Sequence, residues 1–167
     1  MKTIRLDLEP VTAAAFAPFG ALPPDEGDGH ATADLEFLQH DGWVNYIGHS
    51  LDEITVSAGG YRCDLLNRHD THTQTLMPMS GRALIVVAPA AVDFSDAAHF
   101  DAVHAFEIPQ YGCVHLARGT WHWGPYPLGA SDVRIFNIQG RGYPNDNGVV
   151  HFVRDHDLAY EVKTKLD

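Results

Sequence analysis

The sequence predicts an all-β fold, a sandwich or jelly-roll barrel of two facing antiparallel sheets with one or two short helices. Three observations carry this expectation. Short apolar runs recur roughly every ten residues from Tyr61 onward, each bracketed by Gly, Pro, Asn or Asp. No helical-period pattern of useful length interrupts them. No alternation of strand with amphipathic helix points to a parallel βαβ sheet. A chain of 167 residues with 45% hydrophobic and 20% charged content is long enough to bury one sizeable core, so residues 1–167 are expected to form one domain.

Taken in order, Thr12 can cap the Ala-rich turn Ala13 to Ala17, which Pro18 and Gly20 end before it grows. Ala21 to Ala33 has loop composition, with Pro23, Pro24, Gly27 and Gly29 among Asp25, Glu26 and Asp28. Trp43, Val44, Tyr46 and Ile47 form a strand-like cluster between Gly42 and Gly48. Tyr61 to Leu66, Thr71 to Met77, Arg82 to Ala88, Val103 to Ile108, Cys113 to Leu116, Val133 to Ile138 and Val149 to Val153 continue the series. Leu158 to Val162 suits either a helical turn or an edge strand.

Composition narrows the function. Eleven basic against twenty-two acidic residues give a formal charge of −11, which repels nucleic acid and anionic membranes and leaves small molecules as the expected partners. No signal-type apolar region follows Lys2 and Arg5, and no run of eighteen apolar residues occurs, so a cytoplasmic protein is expected. Cys63 and Cys113 suit buried free thiols.

Two stretches carry the chemistry. Gly112 to Leu128 reads Gly-Cys-Val-His-Leu-Ala-Arg-Gly-Thr-Trp-His-Trp-Gly-Pro-Tyr-Pro-Leu. His122 stands between Trp121 and Trp123, two aromatics that can wall an imidazole from water, where a ring titrating near neutrality serves as acid, base or ligand. Asn67 to Gly81 gathers Arg68, His69, His72 and Gln74 within a few residues. On a strand over Thr71 to Met77, His72 and Gln74 share a face, and His69 joins them only if the chain bends near Asp70-Thr71. His69, His72 and a distant His122 would together make a three-histidine metal set; His-x-x-His alone is a weak signal. His115 lies in an apolar run that can point it inward or outward.

These stretches resemble a cupin, a double-stranded β-helix barrel, and more closely the ureidoglycolate lyase (ureidoglycolate hydrolase) family. The resemblance rests on Ala15 to Gly20, on Arg68-His69, Thr73-Gln74 and Pro78-Met79, on Gly119 to Pro125, and on Arg141-Gly142. Three positions depart from the family pattern: Asn67 where it has Glu, Trp123 where it has a second His, and Gln139 where it has an acidic residue. The resemblance implies splitting of ureidoglycolate into glyoxylate and urea in purine breakdown through allantoin, by a homodimer, with a divalent metal in some members and no organic cofactor. Ureidoglycolate carries a hydroxyl, a carboxylate and a ureido nitrogen on one carbon. Its cleavage needs a base on the hydroxyl and an acid on the leaving nitrogen, roles for His122, His69 and His72. Arg68 or Arg141 would anchor the carboxylate, Gln74 would hold the ureido group, and Trp121 and Trp123 would line the pocket. A non-catalytic cupin that binds a small acid or sugar, and a cupin isomerase or dioxygenase using the same pocket, are the alternatives.

Overall fold

The computed structural model describes residues 1–23, 34–57 and 59–164. The acidic Pro- and Gly-rich stretch from residue 24 to 33, His30 included, lies outside them. The strands are β1 (Lys2–Pro10), β2 (Gly20–Ala21), β3 (Gly42–Ser50), β4 (Thr55–Ser57), β5 (Gly60–Cys63), β6 (Leu65–Arg68) and β7 (Gln74–Pro78). They continue with β8 (Arg82–Ala88), β9 (His104–Ile108), β10 (Val114–Leu116), β11 (Trp121–Leu128), β12 (Asp132–Gly140), β13 (Gly148–His151) and β14 (Leu158–Lys163). Two short helices, α1 (Ala13–Phe16) and α2 (Phe152–His156), complete the all-β fold that the sequence predicts. Thr12 caps α1 by accepting from the Ala15 amide at 3.2 Å.

Five strands form one sheet in the order β2-β10-β7-β12-β3, and nine form the other in the order β13-β6-β11-β8-β9-β1-β14-β5-β4. Between them lies a core of Leu76 from β7, Ile85 and Val87 from β8, Phe106 and Ile108 from β9, Val114 and Leu116 from β10, and Ile135 from β12, closed by Phe16 and Phe19. A second core packs on the opposite face of the larger sheet. It takes Leu84 and Val86 from β8 and Trp121 and Trp123 from β11, together with Tyr61, Phe152, Tyr160 and Val162. Strand β8 is buried on both faces, which is why Ala83 to Ala88 is continuously apolar rather than alternating.

The structure corrects several sequence expectations. The sheets are not wholly antiparallel, because β1 pairs in parallel with both β14 and β9. Strand β1 escapes pattern reading because Leu6 is its one buried residue. The run Val149 to Val153 divides, with β13 ending at His151 and α2 starting at Phe152. Leu158 to Val162 belongs to a strand, yet an interior one, held between β1 and β5. Cys63 and Cys113 are both free; Cys63 is buried as expected, whereas Cys113 is only half-buried.

Leu76 has no exposed surface and faces the core between the sheets. Leu76→Ala should lower unfolding free energy by about 2–5 kcal/mol, through lost burial and the cavity left behind. Urea denaturation reads this directly, and an unchanged midpoint would mean that the core does not sit where it is drawn.

Candidate active site

His122 lies within β11, where the ladder to β8 pairs it with Val87. Side chains alternate across a strand, so Trp121 and Trp123 go to the second core and the imidazole points the other way. The tryptophans are therefore not the flanking walls that the sequence suggests; Trp121 donates its indole N–H to Val92 O at 3.1 Å. The His122 ring is 7% exposed and its Nδ1 lies 3.0 Å from Thr120 O. A carbonyl only accepts, so Nδ1 carries the proton and Nε2 presents a bare lone pair. Burial, with His69 close by, pushes the His122 pKa down to about 4. The ring is thus a neutral imidazole, not one titrating near neutrality.

His69 reaches the same place because the chain bends after β6. Asp146 holds the bend: its carboxylate accepts from the Asp70 amide at 3.2 Å, the Thr71 amide at 2.8 Å and the Thr71 hydroxyl. Its carbonyl accepts from His69 Nδ1 at 2.6 Å, which leaves Nε2 of that ring without a proton when the ring is neutral. Burial would raise the Asp146 carboxyl, but the Thr71 and Asp70 hydrogen bonds outweigh it and hold the pKa below the ordinary value. His72 stacks on His69 with ring centroids 4.6 Å apart, and His69 stands 5.4 Å from His122. Burial and the neighbouring His69 push His72 down to about 4 as well.

Gln74 opens β7 and is buried. Both hydrogens of its amide are engaged, to Asn137 Oδ1 at 2.9 Å and Gln139 Oε1 at 3.1 Å, and Asn137 in turn donates to Asn45 at 2.7 Å. Gln74 Oε1 is left buried without a partner, an acceptor waiting for a donor. His69, His72, Gln74 and His122 line one narrow, tightly closed cleft, with Leu116, Ala117 and Thr120 on its remaining walls.

Neither predicted arginine lines this space. Leu66 turns into the second core, and Arg68, two residues on, follows it to stack 4.7 Å over the Trp121 ring while pairing with Asp70 at 3.2 Å. Arg141 is exposed, 5.3 Å from the Trp43 ring. His115, itself buried, takes the opposite face of β10 from Val114 and Leu116 and meets Thr75 Oγ1 at 2.8 Å. Sequence reasoning missed Asp146, His40, Asn137 and Asn45. Asp146 sits in a polar loop that gives no periodic signal, and Asn45 and Asn137 are legible only once the β3–β12 register pairs them.

The family resemblance implies a divalent metal in some members, which requires donor atoms that converge. The metal set expected from sequence is His69, His72 and His122. Among the described residues, the group whose donor atoms all lie within 4.8 Å of one another is His40, His72 and Asp146. Only His72 belongs to both sets.

His122 and His72 drop from an ordinary 6.5 to about 4, so between those values the unfolded chain binds protons that the folded chain refuses. Their contribution to stability is complete above pH 6.5 and is lost as pH falls through about 4. Melting temperature should be flat above neutrality and fall steeply across that window, with a shallower fall in His122→Asn. An identical slope in the variant would show that His122 is not buried in neutral form.

The ureidoglycolate lyase family profile matches residues 3–158. The chain is 33% identical to a ureidoglycolate lyase of Burkholderia cepacia, covering 85% of this chain and 82% of the relative. It is 33% identical to one of Rhodobacter capsulatus, covering 75% and 81%, and 30% identical to one of Burkholderia mallei, covering 85% and 84%. With that match running through nearly all the strands that carry the histidine pocket, the chain belongs to the ureidoglycolate lyase family.

Proposed function

We propose that this protein is a lyase that splits ureidoglycolate into glyoxylate and urea in the pocket formed by His69, His72, Gln74 and His122. The observation that carries the reading is the pair of imidazoles whose Nδ1–H groups are tied to carbonyls, beside a Gln74 oxygen with no partner. Each ring can begin only as a base at Nε2, because its one proton is held elsewhere. His122 Nε2 takes the hydroxyl proton. The C–O bond then becomes a carbonyl as the C–N bond breaks, and the imidazolium just formed gives the same proton to the departing ureido nitrogen. Atoms and charge balance with one proton carried from oxygen to nitrogen, and one ring suffices for both transfers.

His69 lies beside His122, and Asp146 fixes its tautomer. Gln74 Oε1 accepts from the ureido N–H groups, which directs substrate with its nitrogen end toward the buried amides. A pKa near 4 is too low for an efficient base at neutral pH, but the anionic substrate brings a negative charge against the ring and raises it. A divalent cation bound at the pocket would lower the pKa of the substrate hydroxyl and offset the carboxylate charge.

A place in purine breakdown, a cytoplasmic site and a homodimer belong to the same reading. Among the described residues no helix is long and apolar enough to cross a membrane. Dimerisation is supported by β3, an edge strand whose Val44 and Tyr46 are 60% and 52% exposed.

The decisive experiment is glyoxylate release from ureidoglycolate by wild type and His122→Asn. Turnover should fall by about 10²–10⁴-fold in the variant, the usual worth of a positioned acid–base group. The melting temperature should stay within about 4 °C, since Asn can keep the bond to Thr120 O. Preserved turnover would remove His122 from the mechanism, and no glyoxylate from wild type would remove the lyase. Sedimentation velocity should give a dimer; a monomer at high concentration would exclude one.

A further inference from the structure

Two imidazoles and a carboxylate from three separate stretches meet beside the pocket. His40 comes from the segment entering β3, His72 from the bend before β7, and Asp146 from the loop after β12. Their donor atoms all lie within 4.8 Å of one another. His72 is only 1% exposed, yet neither of its ring nitrogens has a hydrogen-bond partner. Its Nδ1 faces Asp146 Oδ2 at 3.5 Å, too far for a hydrogen bond of any strength. A buried ring with two unsatisfied nitrogens costs free energy unless something binds it.

The backbone around these rings is cleared for them. A Cβ on Gly140 would stand 2.6 Å from His72 Nδ1, and one on Gly142 would stand 2.3 Å from His40 Nδ1. Any side chain at either position would displace an imidazole, so the two glycines flanking Arg141 are there for the two histidines. The donors are also positioned from behind. His40 Nε2 lies 3.2 Å from Thr71 Oγ1, and the Asp146 carboxylate is held by the Thr71 amide and hydroxyl. Such outer contacts orient metal ligands.

We propose that His40, His72 and Asp146 form a binding site for one divalent metal ion of the zinc class, with at least one coordination position left open. Two neutral imidazoles and a carboxylate are the donor set that zinc takes in sites that keep an exchangeable position. Tetrahedral coordination at about 2.1 Å would place donors about 3.4 Å apart, close to the 3.5 Å that already separates His72 Nδ1 from Asp146 Oδ2. The site shares His72 with the pocket, whose lining residues include no arginine or lysine. The ion would supply the positive charge that a carboxylate substrate needs there. That role rests on the lyase reading; the binding itself does not.

The test is metal uptake by chelator-stripped protein. Zn²⁺ is followed by calorimetry and melting temperature, and Co²⁺ by its visible absorption. Wild type should bind one ion per chain and melt higher with Zn²⁺. His40→Asn should weaken binding by about tenfold or more and lose the thermal shift, because one ligand is gone. His72→Asn, which removes the shared ligand, gives the second reading should His40→Asn fold poorly by circular dichroism. His122→Asn should bind as wild type does. No stoichiometric uptake by wild type, unchanged affinity in His40→Asn and His72→Asn, or loss of binding in His122→Asn would each overturn the site. Metal uptake without glyoxylate release would remove the lyase and leave the site; glyoxylate release without uptake would do the reverse.

Discussion

The pocket depends on one constraint, the bend at Asp70-Thr71 and the carboxylate that holds it. A straight continuation of β6 would carry His69 and His72 away from each other, since strand side chains alternate and rise about 3.3 Å per residue. Asp146 prevents this by accepting from both backbone amides of the bend and from the Thr71 hydroxyl, while its own carbonyl accepts a hydrogen bond from His69 Nδ1–H. One residue thus sets the backbone path, the orientation of one ring and its tautomer. Charge-assisted hydrogen bonds of this kind are among the stronger ones available. They also keep the carboxyl ionised to lower pH, which keeps the bend intact under mildly acidic conditions.

The larger sheet imposes the complementary constraint. Strands β8 and β11 separate two cores, so every residue along them must suit one side or the other. Trp121 and Trp123 fill the second core and anchor β11 by area buried, which fixes the register that delivers His122 to the pocket. The tryptophans therefore act on the imidazole through the backbone rather than by touching it. Arg68 shows the same parity: it lies over Trp121 because Leu66 must be buried on that face.

These parities explain what was legible in the sequence. The strand series, the capped helix at Thr12 and the grouping of His69, His72 and Gln74 follow from local pattern. Period, turn residues and polar density survive without knowledge of partners. What escaped depends on long-range packing. The side taken by Trp121 and Trp123 is decided by a second core that draws on β5, β8, β14 and α2, and no spacing within Gly112 to Leu128 encodes it. Strand β1 is found by its parallel partners rather than by its own alternation. His40 and Asp146, 106 positions apart in number, meet only through the β3–β12 pairing and the loops at its end.

The three departures from the family pattern gain separate meanings once placed. Position 123 faces the second core, so Trp123 fills that core and leaves the histidine pocket untouched. Asn67 pairs with His122 across the β6–β11 ladder and shares its face, and Gln139 accepts from Gln74 inside the barrel. At both of these positions an amide stands where the resemblance expects an acid, and a carboxylate at position 67 would lie across the ladder from His122 and favour its protonated form. Without it His122 stays neutral, with a pKa near 4 and its Nε2 open. The acid that remains near the rings is Asp146, whose side chain faces His72 and His40 rather than His122. The carboxylate of Asp146 thus stands on the His72 and His40 side of the pocket, across the rings from His122.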